Sequence, residues 1–330
     1  MRRRLILAGL VAASLAVGLL AAEGVLRIMG FTFELAPRVE FGWPNPEGQK
    51  DWYRADPDLF WVSRDHAARL AALAKRRQDV LLLGDSCTES GNYPEMFLEL
   101  LRREHPGRSI AGGKIAASGW SSYQGLQLLK RDVVPLVPRV VTLYFGWNDH
   151  WVGFGIEDDE VHQIARTRLA FLPDESRTAQ LLFKTRLASR VRDKSGWPKR
   201  VPPEKYRANL TEMARVAVST GIIPVFLTAP TSHQAGKEPP YLAERFLRDL
   251  SELVPLHRQY VEITREVAAA EQVPLCDLYR RFEEMPPDQV RDVYFKADGI
   301  HATPEGGEKI AQLMGECFAR DPRLAGLWSE

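Results

Sequence analysis

The sequence predicts an α/β fold in which a parallel sheet is covered by helices on both faces. From Asp79 onward, short apolar runs alternate with stretches of helical length. The run at residues 80–83 has no polar residue, as expected for a strand that is buried on both faces. The run at residues 140–145 is rich in β-branched and aromatic residues, which favour strands. Strands that alternate with helices in this way form parallel sheets.

Local signals set the limits of these elements. Pro135 and Pro138 end one helix, Gly221 caps another, and Thr303 with Pro304 begins the last one. The predicted strands are residues 80–83, 109–117, 140–145, 222–227 and 273–278. The predicted helices are residues 94–103, 123–134, 204–220, most of 241–270, and 304–320.

Residues 1–24 predict a membrane anchor or a signal segment. Three arginines precede an uncharged apolar run at residues 5–22, which nearly spans a hydrocarbon core at about 1.5 Å per residue. Arginines in this position keep the N-terminus cytoplasmic, so the rest of the chain is expected outside the cytoplasm. An uncleaved anchor is favoured because the run is long and the cleavage signal at Ala22 is poor. The alternatives are a cleaved signal peptide, which leaves the protein secreted, and a buried core helix.

The remaining chain divides into a connector and a main domain. Residues 25–78 are expected to be a juxtamembrane segment packed on the main domain, because their aromatic residues are unusual for a disordered linker. Residues 79–330 form the main domain. An insertion at about residues 150–203 breaks the strand–helix rhythm and is rich in arginine and lysine. It is either a solvated helical segment or a lid or surface for an acidic ligand.

Composition excludes several classes of protein. The chain has 44 lysines and arginines against 43 aspartates and glutamates, so no nucleic-acid partner is expected. Cys87, Cys276 and Cys317 are far apart, which argues against a zinc site or a disulfide framework but leaves open one bridge with one free thiol. Neither a metal nor a cofactor is expected.

A serine follows the first predicted strand. Gly84, Asp85 and Ser86 come directly after residues 80–83. In open parallel sheets, ligands bind beyond the carboxyl ends of the strands. Ser86 can direct its hydroxyl into that crevice and is a candidate nucleophile; a turn serine that caps the next helix is the alternative.

Two other strand ends carry hydrogen-bond donors. Asn148 follows the strand at residues 140–145, and its amide can donate to the oxyanion that develops during acyl transfer. Gly119 follows the strand at residues 109–117, and its lack of a side chain lets a carbonyl approach its N–H closely. Ordinary turn chemistry is the alternative at both positions.

A histidine precedes the last predicted helix. A serine needs a base, and the pKa of a histidine lies near neutrality. Asp298 stands three residues before His301, where its carboxylate can bind the other ring nitrogen and fix the tautomer. A loop histidine beside a capping aspartate is the alternative.

Together these blocks occur in the order Gly-Asp-Ser, Gly, Gly-x-Asn-Asp and Asp-x-x-His, in which the sequence resembles the SGNH/GDSL hydrolase superfamily. The resemblance covers roughly residues 79–320, apart from the insertion. It implies a flavodoxin-like three-layer α/β/α sandwich and a serine esterase or lipase. It also implies that Ser86 is the nucleophile, His301 the base and Asp298 its orienting group. The implied oxyanion hole consists of the N–H groups of Ser86 and Gly119 and the amide of Asn148.

Other residues near these blocks are candidate substrate contacts. Trp147 and His150 follow a predicted strand and can form a shelf for a sugar or acyl group, with core packing as the alternative. His233 follows the strand at residues 222–227 and can border the crevice. Cys87 stands where the family name has leucine, and we expect a small buried residue there and not a second nucleophile.

The favoured function is an exported, membrane-anchored esterase that hydrolyses an O-acyl ester, with acetyl on a carbohydrate as the favoured substrate. Aromatic residues near the blocks and the absence of a long apolar run beside them suggest this substrate; the residues are Trp120, Tyr123, Trp147 and Trp151. An acyltransferase with the same catalytic residues and a lipase or lysophospholipase are the enzymatic alternatives. A carbohydrate-binding or scaffold domain with an inactive site is the non-enzymatic one.

Overall fold

The structure is a computed structural model that describes residues 2–32, 52–153, 156–161, 176–189 and 196–328. Two short strands pair antiparallel as a hairpin, and five others form one parallel sheet. The hairpin strands are β1 (Tyr53–Asp56) and β2 (Phe60–Ser63). The sheet strands are β3 (Val80–Gly84), β4 (Gly112–Ala116), β5 (Val140–Tyr144), β6 (Ile223–Leu227) and β7 (Leu275–Cys276).

The order of the sheet strands decides where a ligand can bind. Across the sheet the order is β4, β3, β5, β6, β7. The chain therefore moves from β3 to β4 on one side and then crosses to β5 on the other. A crevice opens beyond the carboxyl ends of the strands where this order reverses. The fold is the flavodoxin-like sandwich that was expected, and β3 and β5 flank its crevice.

Helices cover both faces of the sheet. Every residue of β3 and β5 is buried, as the apolar runs predicted. Helix Pro304–Arg320 packs against Tyr93–Glu104, and helix Pro203–Ser219 packs against Ser122–Leu128 and Leu253–Ala270. The other helices are Arg2–Ile28, His66–Leu73, Ser86–Glu89, Arg177–Ala188, Leu242–Arg245, Leu278–Glu283, Pro287–Gln289 and Pro322–Ala325.

Two predicted helices differ in detail from the structure. The helix expected at residues 123–134 is α-helical at Ser122–Leu128 and continues as a π-helical turn at Leu129–Val133. The helix expected over residues 241–270 is interrupted, because the side chain of Asp249 accepts a hydrogen bond from Ser251 N at 2.9 Å and caps a new helical start.

The hairpin formed by β1 and β2 packs on the main domain, and we call it the 53–63 hairpin. Leu59, Phe60, Trp61 and Val62 are buried. The carboxylate of Asp56 accepts hydrogen bonds from Leu59 N at 2.8 Å and from Arg131 at 2.7 Å. The turn of the hairpin is thus tied to the helical segment that follows β4.

The N-terminal helix Arg2–Ile28 contains one stretch, Gly9–Ile28, that is long and apolar enough to cross a membrane, and none of it is buried. Near its end, the carboxylate of Glu23 accepts hydrogen bonds from the N–H groups of Arg177 and Thr178 at 3.0 and 2.9 Å. Glu23 therefore caps the helix Arg177–Ala188, because the first N–H groups of a helix lack partners within it.

One disulfide joins the sheet edge to the last long helix. Cys276 at the end of β7 is bonded to Cys317, with 5.6 Å between their Cα atoms. Cys87 is a free, buried thiol. The cysteines thus form one bridge with one free thiol, which the spacing had left open.

Candidate active site

Ser86 lies just beyond the carboxyl end of β3, as the first residue of the helix Ser86–Glu89. The buried carboxylate of Asp85 caps this helix by accepting a hydrogen bond from Cys87 N at 2.9 Å. The tight turn requires glycine at position 84, because a Cβ there would lie 1.9 Å from Thr88 Oγ1. The sharp end of β3 therefore fixes the position of Ser86.

The structure brings Ser86, His301 and Asp298 into one chain of hydrogen bonds. Ser86 Oγ lies 2.8 Å from His301 Nε2, and His301 Nδ1 lies 2.7 Å from Asp298 Oδ2. A carboxylate only accepts hydrogen bonds, so the proton of the neutral ring is on Nδ1. Nε2 is then free to accept the hydroxyl proton of Ser86.

Backbone N–H groups hold the Asp298 carboxylate ionised. Its Oδ1 atom accepts hydrogen bonds from the N–H groups of Ile300 and His301, each at 2.9 Å. Burial acts to raise the pKa of Asp298, but the hydrogen bonds from the ring and backbone of His301 outweigh it and lower the pKa to about 2. Asp298 is therefore charged at neutral pH.

Asn148 follows β5 and contacts Asp85, the residue that precedes Ser86. Its Nδ2 atom donates to Asp85 Oδ2 and to Trp120 O, both at 3.1 Å. Burial raises the pKa of Asp85 to about 6, although hydrogen bonds from Cys87 and Asn148 oppose this. An oxyanion would have to take one of the Asn148 amide protons from these acceptors. A charged acceptor forms a stronger hydrogen bond than a neutral carbonyl, so the oxyanion can displace the carbonyl of Trp120.

Gly119 lies in the turn after β4, which we call the Gly119 turn. Its φ of +80° is in the left-handed region that favours glycine. Its carbonyl accepts a hydrogen bond from Arg200 Nη1 at 2.7 Å. The carbonyl of the next residue, Trp120, accepts a hydrogen bond from Asn148. The loops that follow β4 and β5 are therefore in contact at the carboxyl end of the sheet.

A serine hydroxyl bonded to an imidazole, which is itself bonded to a carboxylate, is an arrangement that transfers acyl groups through serine. Residues 82–309 match the model of the GDSL-like lipase/acylhydrolase family. The chain belongs to this family. It is therefore a serine hydrolase that acts on ester bonds.

Solved structures similar to this GDSL hydrolase come from several bacteria. A lipase/acylhydrolase from Enterococcus faecalis is 19% identical with a TM-score of 0.46, over 72% of this chain and 94% of that chain. A GDSL-like lipase from Bacteroides thetaiotaomicron is 20% identical with a TM-score of 0.47, over 77% and 95%. An acetyl xylan esterase from Geobacillus stearothermophilus is 14% identical with a TM-score of 0.46, over 74% and 93%. No protein of curated function matches the chain significantly.

In the GDSL hydrolase, Trp147 and His150 pack in the core, which was the alternative to a shelf, and their proposed contact with substrate stays a prediction. Both are buried, and the Trp147 ring stacks on His257 with 3.9 Å between ring centroids. Trp120 and Trp151 are buried as well. Large rings that follow the strands serve the core here, because neighbouring segments fold over them.

His233 lies against the loop that carries Asp298 and His301. Its Nε2 atom is 2.7 Å from the carbonyl oxygen of Asp298, to which it donates. A Cβ at position 299 would lie 2.5 Å from the ring of His233. His233 is thus packed on the Asp298 turn, and its proposed contact with substrate stays a prediction.

The structure adds residues that the motifs did not single out for a role. Asp149 is buried and accepts hydrogen bonds from Ser122 N at 2.9 and 3.1 Å. Burial raises the pKa of Asp149 to about 7 against these hydrogen bonds. Glu89 accepts a hydrogen bond from Ser118 N at 2.7 Å. Asp149 stands in the Asn148 motif, whereas nothing in the sequence marked Glu89 or Arg200.

Among the described residues, no group of three or more histidine, cysteine, aspartate or glutamate side chains is arranged to hold a metal ion.

Proposed function

We propose that this hydrolase is an exported, membrane-anchored esterase that cleaves a short O-acyl ester, acetyl, on a carbohydrate. The observation that supports the reaction most strongly is the pair of hydrogen bonds that joins Ser86 to His301 and His301 to Asp298, at 2.8 and 2.7 Å. The proposed roles of these residues follow from which atoms can give and accept protons.

In the acylation step, Ser86 Oγ attacks the ester carbonyl carbon while His301 Nε2 takes the hydroxyl proton. The Asp298 carboxylate stabilises the imidazolium that forms. The carbonyl oxygen becomes an oxyanion, which accepts hydrogen bonds from the N–H groups of Ser86 and Gly119 and from Asn148. When the tetrahedral intermediate collapses, the bond to the alcohol breaks and the alcohol leaves with the proton from His301.

In the deacylation step, the acyl group is held on Ser86 Oγ and a water molecule takes the place of the alcohol. His301 removes a proton from this water as it attacks the acyl carbon. The bond to Ser86 then breaks, Ser86 regains its proton from His301, and the carboxylic acid is released. If another hydroxyl replaces the water, the same residues carry out acyl transfer.

Export and anchoring are supported by two features. Three arginines precede the helix that contains the apolar stretch Gly9–Ile28, and such arginines stay on the cytoplasmic side. The bridge between Cys276 and Cys317 suits an oxidising compartment. Because Glu23 caps the helix Arg177–Ala188, the residues before Glu23 are the proposed span.

The short acyl group is supported by the sequence beside the motif blocks, which has no long apolar run that would build a channel for a fatty acyl chain. A long acyl chain gains binding energy only where it buries apolar surface. The proposed location outside the cytoplasm is what supports a carbohydrate as the alcohol. Stacking of tryptophan rings on sugars does not support it, because Trp120, Trp147 and Trp151 are buried.

A chain-length series on one leaving group tests this proposal. Purified full-length protein is assayed with aryl esters from acetyl upward, and Ser86→Ala serves as the control that has lost the nucleophile. We expect rates that peak at acetyl and have fallen by butyryl. A peak at about eight carbons would contradict the short-acyl proposal and indicate a lipase. Assays with added acceptor alcohols measure the fraction of acyl groups that is transferred to the alcohol instead of to water.

A further inference from the structure

Side chains from distant parts of the chain form hydrogen bonds with the Gly119 turn. Trp61 Nε1 in the 53–63 hairpin donates to Ser118 O at 2.9 Å, and Arg200 at the end of the insertion donates to Gly119 O at 2.7 Å. We propose that Trp61 and Arg200 are positioning residues of the oxyanion hole, and that the 53–63 hairpin is therefore part of the catalytic unit. This inference rests on the proposed role of Gly119 as an oxyanion donor.

Trp61 sets the direction of the Gly119 N–H through the geometry of one peptide. The carbonyl of Ser118 and the N–H of Gly119 belong to the same planar peptide unit, and no described peptide bond is cis. In a trans peptide, the C=O and N–H bonds point in opposite directions. Because Trp61 holds the carbonyl, the N–H of Gly119 is directed away from the hairpin.

Trp61 is itself immobilised by the same network. Its side chain is fully buried, and its backbone carbonyl accepts a hydrogen bond from Trp120 Nε1 at 2.9 Å. The carbonyl of Trp120 in turn accepts from Asn148 Nδ2 at 3.1 Å. Before substrate binds, hydrogen bonds therefore link the hairpin to two of the three proposed oxyanion donors, Gly119 and Asn148; the link to Asn148 is the one that an oxyanion would replace.

Arg200 holds the other side of the turn with a forked guanidinium. It is almost fully buried and is paired with Asp158, with contacts of 3.1 Å from Nε and 2.9 Å from Nη2. A third nitrogen reaches Gly119 O, and Nη2 also donates to Gln124 at 3.0 Å. A buried ion pair adds little net stability compared with apolar packing, so a positioning role explains its presence better than stability does.

The first peptide of the turn is held by a second link to the hairpin. Glu89 accepts hydrogen bonds from the N–H and hydroxyl of Ser118, and it also accepts one from the hydroxyl of Tyr53 in β1. Glu89 lies in the same short helix as Ser86. The hairpin thus contacts the turn directly through Trp61 and indirectly through Tyr53.

The contacts from the hairpin and from Arg200 matter because the backbone of the Gly119 turn is flexible by itself. Glycine gives its backbone more freedom than any other residue. An oxyanion donor that is displaced by a fraction of an ångström loses much of its effect, because its benefit depends on being preorganised. The contacts from the hairpin and from Arg200 remove that freedom before substrate arrives.

The test uses Trp61→Phe in the full-length protein, which removes the N–H donor and keeps an aromatic ring. Trp52→Phe is the matched control, because Trp52 is exposed and adjoins the same hairpin. We expect Trp61→Phe to lower kcat by about 10-fold or more with KM nearly unchanged, since a misplaced oxyanion donor acts on the transition state. Affinity for a trifluoromethyl ketone, which forms an oxyanion on the enzyme, should fall by a similar factor.

Two further variants keep the test decisive if Trp61→Phe fails to fold. Tyr53→Phe removes one hydroxyl, and Arg200→Lys keeps the charge beside Asp158 but loses the fork; both should show the same split between kcat and KM. Variants that match the wild type in kcat and in ketone affinity would overturn the inference. A decrease in activity that is fully explained by a decrease in the amount of folded protein would also overturn it. A wild-type protein that neither hydrolyses esters nor binds the ketone would instead refute the proposed function, and this inference with it.

Discussion

At the scale of single residues, Asp298 and Asp149 respond to pH in opposite directions. The pKa of Asp298 is lowered to about 2, so its contribution to stability is present above its unfolded pKa of about 4 and is lost as the pH falls towards 2. The pKa of Asp149 is raised to about 7 by burial, so its contribution is present below about pH 4 and is lost as the pH rises through 7.

Asp149→Asn should therefore change how stability depends on pH. The free energy of unfolding of the variant, relative to wild type, is expected to rise between about pH 4 and pH 7, because the variant has no buried carboxyl to ionise. Urea denaturation across that range measures the difference. A difference that stays constant, or that moves in the other direction, would show that Asp149 is ionised in the folded protein throughout.

Steady-state kinetics can distinguish whether Asn148 acts on the transition state or on substrate binding. Asn148→Ala should lower kcat by about 100-fold or more, with a much smaller change in KM, because the amide is proposed to act on the oxyanion. Steady-state assays on the preferred aryl ester provide both constants. If KM alone changed, Asn148 would be a substrate-binding residue and not an oxyanion donor.

At the scale of elements, the 53–63 hairpin should decide where a catalytic fragment can begin. A chain that begins at Trp52 is expected to fold and hydrolyse esters, whereas one that begins at Asp79 is expected to be unstable and inactive. The reason is that the shorter chain loses Trp61 and exposes the core surface that Leu59 to Val62 cover. Equal activity of the two fragments would contradict this expectation.

The elements also show which features the sequence could predict. The last long helix is Pro304–Arg320, the predicted bounds, because Thr303 and Pro304 are local signals that need no tertiary contact. The apolar runs before Gly84 and Gly146 likewise marked β3 and β5 by composition alone.

Other features depend on contacts between distant segments. The strands of the 53–63 hairpin have four residues each, too few for a periodic pattern, and the contact of Trp61 with Ser118 joins residues 57 positions apart. Trp147 and His150 follow a strand end where either core or crevice was open to them. Arg200 is one of many basic residues in the insertion, and only the folded chain shows that it lies beside Gly119.

At the scale of the whole molecule, we propose that the N-terminal helix anchors the chain and so sets where the reaction occurs. Fractionation of cells should recover the intact chain in the membrane pellet, with residues 79–330 open to protease added outside the cytoplasm. Cys276 and Cys317 should be oxidised, and Cys87 should react with an alkylating reagent only after denaturation. Loss of residues 1–24 from the mature protein would refute the anchor while leaving export intact.

We propose that Ser86 forms the acyl-enzyme, and the free thiol of Cys87 beside it is the rival nucleophile that the test must exclude. Full-length protein is treated with a fluorophosphonate, which labels activated serines, and the modified peptide is located by mass spectrometry. We expect one adduct on Ser86, absent in Ser86→Ala, strongly reduced in His301→Ala and unchanged in Cys87→Ala. A wild-type protein that stays unlabelled, or an adduct that persists in Ser86→Ala, would contradict it.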